Sequence, residues 1–100
     1  MVIGRPWAVE VGRDGYLYAV DGGDQDPDKP RSGLLVLSRE GEVIARWSRY
    51  GYQAGQLVWP HDLAVSARAE VFVGEVFDAN RVQKFRPECG PAAPAGCAPW

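Results

Sequence analysis

One histidine, one methionine and two cysteines are all the imidazole and sulfur in this 100-residue chain. Two cysteines are too few for a disulfide framework, and they lack the paired spacing of a zinc knuckle. Cys89 and Cys97 both fall in "PECGPAAPAGCAPW", which leaves two readings open: a short local disulfide or two unpaired thiols. No apolar run approaches the roughly 20 residues of a membrane-spanning helix. A cationic excess is missing too: 11 Lys and Arg stand against 13 Asp and Glu, which argues against a nucleic-acid partner. The opening "MVIGRPWAVEVGRDG" has no basic leader followed by an apolar segment and a cleavage site, so no signal peptide is expected. If the intact protein is secreted, the segment that says so lies outside this sequence, and the compartment stays open. Gly-rich phosphate loops, nucleophile elbows and amphipathic helices of three turns are likewise missing.

Short strand signals fill the space that these absences leave. "WAVEV" and "YLYAV" are rich in β-branched and aromatic residues, with Asp14-Gly15 between them as a turn signal. The same features predict strands over residues 7–12, 16–21, 33–38, 42–48, 62–66, 70–76 and 81–86. Strands so closely spaced indicate an antiparallel meander. The chain is long enough for one small domain that buries about 60–65% of its unfolded surface, a thin margin.

An internal repeat organises these strands. When "RPWAVEVGRDGYLYAVD" is set over "WPHDLAVSARAEVFVGE", Pro6 falls on Pro60, Val9 on Leu63, Val11 on Val65, Leu17 on Val71, Tyr18 on Phe72 and Asp21 on Glu75. "SGLLVL" then falls on "NRVQKF", once the longer first loop "GGDQDPDKPR" is allowed for. His61 and Asp62 occupy the places of Trp7 and Ala8. A polar pair needed for the repeat's structure would appear in both copies, so these two residues point to local chemistry. Alternation along a strand predicts that they face opposite sides.

"GQLVWPHDLAV" (55–65), "EVFVGEV" (70–76) and "NRVQKF" (80–85) together resemble the NHL-repeat β-propeller over roughly residues 5–86. The resemblance implies an all-β fold of antiparallel blades from a six-bladed family, of which about two are present. Residues 1–59 form a first blade with an inserted acidic loop and a linker, 60–86 a second, incomplete blade, and 87–100 an irregular Pro/Ala/Gly/Cys tail. A propeller closes with about four to eight blades, so the expected partners are the remaining blades or further copies. By itself the chain is expected to be weakly stable or self-associating, because repeat units cannot bury their faces alone. Asn80 and Arg81 form a pair that this family repeats at a turn, so they are assigned to blade architecture. Asp21 and Glu75 are expected to bind backbone groups, and Trp7, Trp47 and Trp59 to pack between blades.

Within the NHL propellers the chain is similar to the peptidyl-α-hydroxyglycine α-amidating lyases. The similarity is carried by "YAVDGGDQDP" (18–27), "REGEVIARW" (39–47), "PHDLAV" (60–65) and "VFVGE" (71–75). It implies His61 as one of three zinc ligands and Asp62 as a ligand of a structural calcium. Imidazole suits zinc and a hard carboxylate suits calcium. The implied substrate is a peptide ending in α-hydroxyglycine, cleaved to a peptide amide and glyoxylate. The chain departs from the family in three ways. It has one histidine where three hold the zinc, no tyrosine or arginine that matches the catalytic motifs, and Trp59 where the family often has methionine. It is therefore expected to be inactive alone. A second reading stays open, a non-catalytic propeller module that binds a protein or small ligand, with His61 packing at the start of its strand.

Asp24, Asp26 and Asp28 alternate like the start of an EF-hand loop. Lys29 stands where that loop needs glycine and Leu35 where it needs glutamate, which excludes an EF-hand. A solvated acidic loop is the expected reading.

Overall fold

The structure, a computed structural model, describes residues 5–23, 31–77 and 79–86. These form seven strands: β1 (Pro6–Val11), β2 (Leu17–Asp21), β3 (Gly33–Leu37), β4 (Val43–Trp47), β5 (Pro60–Val65), β6 (Val71–Glu75) and β7 (Val82–Phe85). The first four make one antiparallel sheet in the order β1-β2-β3-β4, and the last three make a second, β5-β6-β7. No helix occurs among the described residues. The chain is all-β, and each strand lies within two residues of its expected span. The acidic loop aspartates and both cysteines fall outside the described residues.

Three of the hairpin turns share one construction. Gly12, Ser38 and Ser66 each donate their N–H to the carbonyl four residues on, and each carbonyl accepts from the N–H three residues on. That third residue must enter the left-handed region, and Gly15 (φ 88°) and Gly41 (φ 91°) do so freely. Ala69 does so at φ 61°, where a Cβ costs about 1–2 kcal/mol. Ser66 offsets part of that cost, since its Oγ accepts from the N–H groups of Arg68 and Glu70.

The two sheets meet face to face, but not through like faces. In the first sheet Tyr18, Val20, Leu34 and Val36 share the buried side; call it the front. In the second sheet Leu63, Val71 and Val73 share the side that meets them. By the repeat alignment these correspond to Val9, Leu17 and Ala19, which lie on the rear of the first sheet. The front of one sheet therefore packs on the rear of the next, with β5 lying across β1 and β2. Leu57, from the connection between the sheets, completes this core. Burial and a hydrogen bond to Asp14 push the Tyr18 hydroxyl well above its ordinary pKa, so it stays protonated at the edge of the packed layer.

The same alignment pairs Leu34, fully buried, with Val82, 72% exposed. Leu34→Ala is expected to lower unfolding stability by about 2–5 kcal/mol. Val82→Ala is expected to cost about 1 kcal/mol or less. Urea denaturation at high dilution checks the contrast, and equal costs would contradict front-on-rear packing.

Candidate functional site

Pro6 and Pro60 begin the first strand of each sheet. Each pairs with the carboxylate that ends the adjacent strand, Pro6 with Asp21 and Pro60 with Glu75. In both strands the register then slips, between Pro6 and Ala8 and between Pro60 and Asp62. The residues inside the slip are Trp7 and His61. A β-bulge re-aims the side chain it carries, and here the two bulged rings meet. Trp7 and His61 stack with centroids 5.2 Å apart and planes 27° from parallel. Gly22 makes room for the indole, because a Cβ there would lie 2.3 Å from it. The indole Nε1 donates to the Gly23 carbonyl at 3.2 Å. Stacking through the ring faces leaves the two imidazole nitrogens at the edge, where a metal or hydrogen-bonding group can reach them.

Asp62 lies beside Ala64, Phe72 and Gly74 on the second sheet, while His61 lies against Trp7. Both are exposed, and both line one open groove of about 360 Å³ with Gly74, Glu75, Asn80 and Arg81. The bulge breaks the two-residue period at this point. Asp62 Oδ1 accepts the N–H of Leu63 at 2.8 Å. Trp59 also departs from its expected place between the sheets. It stacks on Phe77 at 4.3 Å, and both residues hold left-handed backbone, φ 45° and 63°. Trp47 does border the inter-sheet core.

Each sheet also holds a buried carboxylate clamp, and that of the second sheet borders the groove. Glu75 Oε1 accepts the Val58 N–H at 2.7 Å, and Oε2 accepts Arg81 Nε at 2.6 Å and Gln83 Nε2 at 3.0 Å. Arg81 also donates to the carbonyls of Gly51, Tyr52 and Gln56, which ties the loop between the sheets to the second sheet. Its hydrogen bond to Glu75 raises the guanidinium pKa further. Asp21 is the counterpart in the first sheet. Its Oδ1 accepts the N–H groups of Arg5 and Gly23, and its Oδ2 accepts Arg31 and Arg46. Arg81 aligns with Gly33, and the Arg46 guanidinium lies 3.1 Å from where a Gly33 Cβ would be. The first sheet thus takes one of its two cations from β4 and fits it into the space that glycine leaves. Sequence reasoning placed the carboxylates and Arg81 but missed Arg31, Arg46 and Gln83. The missing side chain at Gly33 was the available signal. Asn80, at φ 47°, shapes the turn that the Glu75 N–H closes by donating to the Arg81 carbonyl.

Among the described residues no group of three or more His, Cys, Asp or Glu side chains is placed to hold a metal ion. No protein-family model matches the chain, and no curated protein matches it at a significant level.

Removing Arg81 leaves Glu75 buried without its cation, although Arg81 itself is partly exposed. Arg81→Ala is expected to cost about 2–3 kcal/mol. Arg81→Lys should recover only part of it, since one ammonium cannot repeat the guanidinium's spread of bonds. Thermal unfolding of both variants measures this.

Proposed function

We propose that this chain is two consecutive blades of an NHL-type β-propeller related to the peptidyl-α-hydroxyglycine α-amidating lyases. The observation that carries the blade reading is the front-on-rear packing of two sheets built on one repeat. Radial repetition stacks blades in this way, whereas a two-sheet sandwich can close by itself. The duplicated bulge and carboxylate clamp support the same reading, because they make each sheet the same unit and not merely the same length.

The lyase reading rests on the resemblance of "PHDLAV" and its neighbours, with His61 as zinc ligand and Asp62 as calcium ligand. One imidazole does not fit a catalytic zinc centre, which takes three protein ligands, and one carboxylate does not fill the six to eight oxygen positions of calcium. Under this reading the chain contributes one zinc ligand and one calcium ligand to sites completed by other blades, and it is inactive alone. The Trp7–His61 stack favours a second reading, in which the imidazole is a packing ring at the seam of a non-catalytic module that binds a protein or small ligand.

Metal analysis of the complete propeller separates the two. His61→Ala is expected to lower zinc content and glyoxylate release from an N-acyl α-hydroxyglycine together. Asp62→Asn is expected mainly to lower the melting temperature and its dependence on calcium. Full zinc occupancy in His61→Ala would make the histidine structural and remove the lyase reading.

A further inference from the structure

We infer that copies of this chain assemble head to tail, the front of one copy's second sheet covering the rear of β1 in the next. This rests on the blade reading, because it takes the junction inside the chain as the template for the junction between chains. Inside the chain, Tyr18 and Leu34 on the front of the first sheet are fully buried by the rear of the second. Their counterparts on the front of the second sheet, Phe72 and Val82, are 36% and 72% exposed. The front of the second sheet is therefore one half of an interface that the chain has already shown how to fill.

The other half is also present. Within the chain it is β5 that lies across the front of the first sheet, and it does so through Leu63, 6% exposed, and the half-buried Val65. The residues of β1 that match these are Val9 and Val11, 55% and 61% exposed. The remainder of that rear face is closed, since Ala19, Leu35 and Leu37 are at most 7% exposed. Docking thus falls on the β1 margin, which matches the β5 part of the internal junction; the counterparts of Val71 and Val73, Leu17 and Ala19, are already covered. On the receiving side Gly74 stands where the first sheet has Val20, and a shallow groove of about 210 Å³ runs past it between Phe72 and Val82. Asp62 and Lys84 replace Ala8 and Val36 at the edges of this face. Lys84 lies 5.9 Å from the Phe72 ring centroid. These charges keep the uncovered face hydrated, so association is reversible and depends on concentration. A front-to-rear contact is heterologous, and it closes only as a ring of several copies.

Sedimentation velocity on the 100-residue chain, across a wide micromolar range, should show a discrete assembly of about two to four copies, enough to give about four to eight blades. Val82→Glu and Val9→Glu should each yield monomers with an unchanged β circular dichroism spectrum. Mixed in equal amounts they should form a pair and stop there, because one intact front meets one intact rear. Should Val9→Glu lose its β signal, Val11→Lys takes its place. A chain that stays monomeric throughout, or a Val9→Glu variant that assembles like the parent, would overturn the inference. A monomer would leave the blade reading standing, since the contrast between Leu34→Ala and Val82→Ala judges the front-on-rear packing separately.

Discussion

Strands of four to six residues hold nothing together alone, and a lone sheet of three has one face too many in water. Here the contact between the front of one sheet and the rear of the next supplies the buried apolar layer on which the other features depend. It brings β1 and β5 together at the start of each sheet. It sets the two bulged rings against each other, and it seats Leu57 from the connecting loop among the strand side chains. The buried carboxylates lie at the strand ends beside this layer, and their arginines reach in from partly exposed positions. Apolar packing sets the spacing of the sheets, and the clamps fix where the chain enters and leaves them.

The histidine takes its meaning from that arrangement. A regular strand would have separated His61 from Asp62 and given each its own side. The bulge after Pro60 breaks that period, both residues line one groove, and the imidazole lies against Trp7. A ring held by stacking keeps its nitrogens at the edge, so the same geometry suits a packing role and a ligand role. Only the groups that approach from outside this chain decide between them.

Much of the fold was legible because alternating apolar residues and turn glycines mark strands directly. The repeat made the correspondence of Asp21 with Glu75 visible before any coordinates. The bulges were not legible, since Pro-Trp-Ala and Pro-His-Asp read the same whether or not the register slips. Arg46 escaped because it lies on a strand with no counterpart in the second copy, and its partner signal was an absent side chain at Gly33. The Trp59–Phe77 stack was hidden for another reason. It depends on two aromatic residues in left-handed backbone, which propensity argues against.

The two clamps differ in how far along the chain their partners lie. Arg81 is six residues from Glu75, whereas Arg46 is 25 from Asp21. Closing the longer span costs about 1 kcal/mol more chain entropy. The second sheet neutralises its buried carboxylate within a single hairpin, while the first meets Arg31 ten residues on and gains its second cation only when β4 docks. The later sheet in the sequence thus completes its clamp within one hairpin, and the earlier one completes its own only with its fourth strand in place.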